Sequence, residues 1–322
     1  MKIAHALALW LAVLVSVPSD AGAEPWPQKP VRVIVTAATG SAPDVMARLL
    51  ADHLGRTFQQ QFIVDSRGGA GGNIALGALK RLPGDGYALG VVHASAITVA
   101  PHTMKEMQYD FDKDFVPVAL VARAPLLMVA ATHAPAQTLS GVLAMAKAQP
   151  DTMTVAVSGF NSVPHLATEM LAYRSGGKFF TVSFNGSTTA ISALLSRDVM
   201  LMTDGVAALA SMVDSGKLTP IAVFSRNRLA RYPTVPAVAE IVPDMVVDGW
   251  FVLVAPRGTP DAVIQRLAAE IGKAAAEPEI TARMAALGMY PDTLSGAALA
   301  QFIRSEQDLW RRVADQLGVQ RQ

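Results

Sequence analysis

Four times along this chain a short apolar run ends in a turn of small polar residues and passes into a helical apolar pattern. Residues 31–35 lead through a turn at 36–41, and residues 62–64 through a turn at 65–73. Residues 155–157 lead through Ser158 to Ser162, and residues 180–182 through a turn at 185–189. The helix after the first turn carries Val45, Met46, Leu49, Leu50 and Leu54, spaced for one buried face. Strand and helix alternate in this way almost to the end, which predicts an α/β fold with mainly parallel sheets. Further strands are expected at 89–92, 126–130, 199–202, 221–224 and 251–254, with a helix capped by Thr259-Pro260. Closing helices are expected at about 278–287 and 294–317, the last with Trp310 as a core or docking residue.

The second turn is the most distinctive. Asp65-Ser66-Arg67-Gly68-Gly69-Ala70-Gly71-Gly72-Asn73 places four glycines between strand and helix, where the backbone reaches positive φ and a ligand approaches the main chain. A helix starting there points free N–H groups and its positive dipole end into the turn, which outlines an anion site. A tight turn that binds nothing is the plain alternative. The dinucleotide fingerprint fails because Ile74 stands where its third glycine belongs, and no Lys-Ser or Lys-Thr follows for a phosphate loop. A small anion such as a carboxylate suits it better. At the first turn, Ser41-Ala42-Pro43-Asp44 has the form of a capping box, with Asp44 as cap or as ligand contact. Two helix N-termini then converge on Thr39, Gly40, Ser41, Asp44, Gly71, Gly72 and Asn73. Ser95, just past the strand at 89–92, joins the set, because ligands of open α/β sheets sit outside the carboxyl ends of the strands. His93 beside it reads as a satisfied loop residue.

Composition narrows the function classes. Of 322 residues 51% are hydrophobic and 16% charged, which supports a sizeable core in two modest domains. A formal net charge of +1 with no basic cluster gives no case for nucleic acid. The chain has no cysteine, so it has no disulfide, thiol nucleophile or thiolate metal site. Lys2, an apolar stretch at 3–17 and Ala21-Gly22-Ala23 make a secretory signal with cleavage expected after Ala23. No Gly-x-Ser-x-Gly elbow supports a hydrolase built on Ser158, Ser187 or His165. His93, His102 and His133 lack metal-binding spacing. Hydroxyl and amide residues recur at the turns, a pattern for holding a polar ligand without transforming it; no cofactor is called for.

The ordered motifs resemble a family. They begin with Lys29-Pro30-Val31-Arg32-Val33-Ile34-Val35, Gly40-Ser41 with Asp44, and Arg67 to Ile74. Asp85-Gly86-Tyr87, Tyr109-Asp110, Lys113-Asp114-Phe115 with Pro117-Val118, Ser158-Gly159 with His165-Leu166-Ala167, and Phe184-Asn185-Gly186-Ser187 follow. Pro233-Thr234-Val235-Pro236, Trp250 to Pro260 and Ala286-Leu287-Gly288 complete the order. This set is similar to the Bug family, the TctC-like periplasmic substrate-binding proteins of tripartite tricarboxylate transporters. The resemblance implies a two-lobed periplasmic binding protein of type II topology with a ligand cleft between lobes. It implies a signal peptide at 1–23, lobe 1 from 24–124 and 250–322, and lobe 2 from 125–249. The implied partners are a small carboxylate (di- or tricarboxylic, aromatic or amino-acid-like) and membrane transporter subunits, with the protein itself a monomer. A sensor of the same fold, docking to a membrane signalling partner, would carry the same cleft. Second-lobe contacts are implied for Ser158, Asn161, Ser162, His165, Gly186, Ser187, Thr188 and Asp204. Two departures stand out: Ala37 where the family carries a bulky aromatic, and Phe160 and Val163 in the second-lobe turn, expected to form an apolar wall for a ring or alkyl portion of the ligand.

Overall fold

The computed structural model describes residues 26–321; the expected signal segment lies outside them. β1 (Val31–Val35) runs into α1 (Ala42–Phe58), and β2 (Phe62–Ser66) passes through a 3-10 turn at Ala70–Gly72 into α2 (Asn73–Leu79). β3 (Ala88–His93) is followed by α3 (Ala94–Thr98), α4 (Ala100–Thr103) and α5 (Phe111–Asp114), and then by β4 (Phe115–Ala131). The next elements are α6 (Leu139–Ala148), β5 (Thr154–Val157), α7 (Val163–Ser175), β6 (Phe180–Ser183), α8 (Ser187–Leu195), β7 (Leu201–Gly205), α9 (Val206–Asp214) and β8 (Leu218–Val223). The chain returns through β9 (Asp248–Pro256), α10 (Asp261–Ala276), α11 (Pro278–Ala286), β10 (Tyr290–Pro291) and α12 (Gly296–Gln316).

Two lobes are strung on one strand. In the first sheet the order is β2-β1-β3-β9-β4, with β10 added on β4. The second carries β6-β5-β7-β4, with β8 also on β4. β4 belongs to both: it pairs with β9 as far as Pro125↔Asp248, then with β7 from Leu126↔Gly205 onward. The returning strand sits between β3 and β4, which is the type II order expected. The sheets are mixed rather than mainly parallel, because β9 is antiparallel to β3 and β4, and β4 is antiparallel to β7 and β8.

β4 is also the largest departure from the sequence reading, which expects a strand only at 126–130. Pro117, Arg123 and Pro125 interrupt its apolar pattern; the ladder shifts register between Pro117 and Ala119 and between Leu120 and Ala122, and Arg123 and Pro125 pair in register with Trp250 and Asp248. Thr259 does not cap α10; its hydroxyl donates back to the Pro256 carbonyl at 2.8 Å.

One core cluster joins Val31, Val33 and Val35 to Leu50 and Leu54 of α1. A second runs from Ile34, Leu76 and Leu79 through Leu120 and Met128 to Leu166 and Leu171, and takes in Trp310 of α12. Each such side chain contributes about 1.5–3 kcal/mol by leaving water, so the apolar contact between lobes is part of the fold. α12 braces the crossing. Trp250, 1% exposed, donates its indole N–H to Glu306 at 3.0 Å and lies 5.3 Å from the Phe302 ring. Arg123 stacks 4.6 Å over the same ring and pairs with Asp292 at 2.8 Å.

Candidate functional site

The first-lobe turns meet one another. A Cβ on Gly68 would stand 3.0 Å from the Ala38 amide nitrogen, so the second turn lies against the first. Gly72 has φ +88°, and a Cβ there would come within 2.9 Å of Ala96, 3.4 Å of His93 Nε2 and 3.5 Å of Thr36 Cβ. Only glycine satisfies both the backbone angle and that contact. The Thr36 hydroxyl joins the ends of β1 and β3, accepting the His93 N–H at 3.1 Å. The convergence expected from sequence is therefore a packed cluster of three strand-end turns.

What fills the cluster differs in detail from the expectation. Ser41 opens α1 in extended backbone, but its hydroxyl donates to Ala38 O, so no side-chain capping box forms. Asp44 folds back instead. It accepts the Gly40 N–H at 2.9 Å, the Arg48 guanidinium at 3.0 and 3.1 Å, and the Ser66 hydroxyl. Burial opposes its charge, but the Arg48, Ser66 and Gly40 donors outweigh that and hold its carboxyl down at about 2. Asp44 thus fixes the turn that bears Thr39 and Gly40, both exposed. Asn73 is likewise a fastener: it donates to Glu106 O at 3.1 Å and accepts the Gln108 N–H at 2.8 Å. Its own N–H bonds to Ala70 O, so its backbone N–H and its side chain are both engaged within the protein. α2 has seven residues, too short for a strong dipole. The distinctive feature of this turn is its backbone, with positive φ at Gly69, Ala70, Gly71 and Gly72 in succession.

Sequence reasoning passed over two first-lobe groups and read a third, His93, as a satisfied loop residue. Ser66 and Thr36 are hydroxyls at strand ends, the same signal that singled out Ser95 and Ser158. His93 caps α3: its Nδ1 accepts the Ala96 N–H at 3.3 Å, which leaves the proton on Nε2, the atom beside Gly72. Burial pulls its pKa down to about 4, so the ring is neutral.

The second lobe faces this cluster across a hydrogen bond. Ser95, at the start of α3, accepts the Val163 N–H at the N-terminus of α7 at 3.1 Å. Around α7 the turn closes on itself: Ser162 accepts the His165 N–H at 3.3 Å and donates to Gly159 O, and His165 Nδ1 accepts the Asn161 N–H at 3.0 Å. Val163 is 2% exposed within the core, so it is no part of a ligand wall. Phe160 is half exposed, 4.9 Å from the His165 ring. The Gly186 N–H bonds to Ser158 O at 3.2 Å, joining the two second-lobe turns, and Thr188 is exposed on the first turn of α8.

Ser158, Ser187 and Asp204 come together. Asp204, 7% exposed at the end of β7, accepts the Gly205 N–H at 2.8 Å through Oδ1. The Ser187 and Ser158 hydroxyls lie near enough to favour its charged form, yet Oδ2 is buried without a hydrogen-bond partner. Burial dominates and pushes its pKa up. Two surface grooves, one by α6 and α7 and one by α1 and β2, lie away from these turns. Among the described residues no cluster of His, Asp or Glu could hold a metal ion.

Residues 46–319 match the model of the tripartite tricarboxylate transporter family receptor. The protein BugT of Bordetella pertussis is 31% identical over 299 residues, covering 92% of each chain. The structure of Rpa4515 of R. palustris with adipate superposes with a TM-score of 0.87 at 27% identity, covering 92% of this chain and all of that one. MatC of Rhodopseudomonas palustris with bound malate gives 0.80 at 29% identity, covering 89% and 99%.

Proposed function

The chain belongs to the receptor family of tripartite tricarboxylate transporters, and from that premise we propose that its cleft captures a small carboxylate and presents it to such a transporter. The observation that carries the reading is the packing of three strand-end turns of one lobe, rich in backbone donors, against the hydroxyl-bearing turns of the other. Thr39, Gly40, Ser41, Gly71 and Gly72 grip a carboxylate from the first lobe, with the N-terminus of α1 behind them. Ser95 stands with them, and Ser158, Ser187 and Asp204 face the carboxylate from the second. Asp44 and Asn73 hold the turns in shape, and Asn161, Ser162, His165, Gly186 and Thr188 frame the second-lobe turns.

The energetics suit reversible capture. Charge-assisted hydrogen bonds contribute about 1.5–3 kcal/mol each, and a micromolar complex requires about 8 kcal/mol net. A handful of turn donors supplies that without a buried arginine.

Lobe 1 then comprises 24–124 and 250–322, and lobe 2 comprises 125–249. The mature protein is a periplasmic monomer beginning near Glu24, which N-terminal sequencing and sedimentation of the exported protein check. The function is tested by native mass spectrometry of freshly purified protein, followed by melting-temperature shifts with mono-, di- and tricarboxylates and aromatic and amino acids. A co-purifying acid, or a shift of several degrees with one acid class, is expected. A folded protein that answers to no acid in the panel would overturn the reading.

A further inference from the structure

Two buried carboxylates flank the cleft, and they are treated differently. Asp44 of the first lobe meets a guanidinium, a hydroxyl and a backbone N–H. Asp204 of the second meets one backbone N–H at Oδ1, and its Oδ2 has no partner at 7% exposure. The groups that act on Asp204 are the Ser187 and Ser158 hydroxyls and the Gly205 N–H; no Lys, Arg or His is among them. A carboxylate removed from water without a cation is costly, and a ligand that brings a donor to the open oxygen recovers part of that cost. A second ionised carboxylate at the same place would add like-charge repulsion instead.

The two lobes therefore present opposite polarity. The first-lobe turns offer backbone N–H groups, with the charge of Asp44 compensated by Arg48. The second lobe offers an acceptor. Asn161, on the turn that follows Ser158, adds a second buried side-chain oxygen without a partner.

Resting on the carboxylate-receptor reading, we propose that the ligand is a monocarboxylate whose far end carries an N–H donor, an ammonium or an amide, which binds Asp204. Ser158 and Ser187 flank that donor and orient it. A dianionic dicarboxylate is discriminated against, because its second charge would meet Asp204.

The test is isothermal titration calorimetry at about pH 7.5 with chain-matched acids of three to six carbons. Each set holds an ω-amino acid, the ω-amide acid and the dicarboxylate, for example 6-aminohexanoate, adipamate and adipate. The wild-type protein is expected to bind the best amino or amide acid at least about tenfold more tightly than its dicarboxylate partner, the equivalent of one charge-assisted hydrogen bond. Asp204→Asn is expected to lose that preference and gain affinity for the dicarboxylate. Preference for ammonium over amide identifies Asp204 as ionised in the complex, and equal affinity identifies the shared N–H donor as sufficient; both support the proposal. A wild-type protein that binds dicarboxylates as tightly as their amino and amide partners overturns the inference and leaves the receptor reading intact. Tighter dicarboxylate binding at lower pH in the wild type, absent in Asp204→Asn, supports it, since protonation of Asp204 removes the repulsion. No binding by any acid, in protein whose melting transition is intact, overturns both. If Asp204→Asn folds poorly, the wild-type ratio across the matched sets decides alone.

Discussion

The turn cluster of the first lobe and that of the second are built from the same residue types by opposite means. In the first, the base of the cluster is tightly packed, and only Gly40 and Gly71 at its rim meet open space. Gly68 lies on Ala38, Gly72 lies on Ala96 and His93, and every oxygen of Asp44 has a donor. In the second, space and an open valence remain. Nothing stands within 4 Å of where a Gly186 Cβ would be, and Asp204 Oδ2 has no partner. On the proposed reading, the packed first-lobe cluster is a fixed anion grip, the same for every acid. On the same reading, the second-lobe cluster is where ligands of different shape and charge are told apart.

The sharpest way to break that contrast is at the glycines. Gly72→Val combines a left-handed backbone with a clash against Ala96, and is expected to cost about 3 kcal/mol or more and to remove acid binding. Urea unfolding with a ligand titration checks it; a cost below 1 kcal/mol would mean the first-lobe turns are loosely packed after all. Asp44→Ala leaves the Gly40 N–H and the Ser66 hydroxyl without their acceptor and should cost about 2–3 kcal/mol. It should lower affinity for all acids alike, so a change in which acid is preferred would reverse the roles assigned to the two lobes. Gly186→Ala meets no neighbour and pays only for its backbone, φ 99° and ψ 165°, at about 1–2 kcal/mol. Asp204→Asn is the smallest and has the opposite sign: removing a buried, uncompensated charge should leave the unliganded protein as stable as before or up to about 1 kcal/mol more stable.

The pH dependence separates the two carboxylates. Asp44 is lowered on folding, so its stabilisation is complete above the ordinary value of 3.8 and is lost as pH falls towards about 2. Asp204 is raised, so the folded state is favoured below the ordinary value and loses that advantage as pH rises through the raised one. Burial raises Asp248 and Glu306 as well. The difference between wild type and Asp204→Asn isolates the one residue. That difference should shrink as pH falls to about 4, where an aspartate in an unfolded chain is half protonated. A difference independent of pH would mean that folding does not shift the pKa of Asp204.

Local chemistry explains what the sequence disclosed. β1, α1 and their turn were readable because a β-branched run, a proline in the first helical turn and an apolar period of one face all lie within thirty residues. The first half of β4 was not, since Pro117 is accommodated by a register shift against β9, a strand more than a hundred residues away. The candidate turns were found as turns, but what their side chains do was not. Whether Asp44 caps its own helix or grips Arg48 and Ser66, and whether Val163 faces the cleft or the core, depends on neighbours brought in by other strands. The open oxygen of Asp204 has no signature in its flanking residues at all.

The position of β9 between β3 and β4 has a kinetic consequence. The strands of the second lobe are contiguous, from Leu126 of β4 to Val223 of β8, so that lobe can collapse from local contacts. The first lobe cannot close its sheet until Asp248–Pro256 has arrived to fill the gap. Loop closure across so long a span is slow. In pulsed hydrogen exchange during refolding, amides of β5 and β7 should become protected before those of β1 and β3. A chain emerging from a membrane pore would thus complete its second lobe while the grip for the anion is still unmade, and gain both the grip and the brace of α12 only with its final residues.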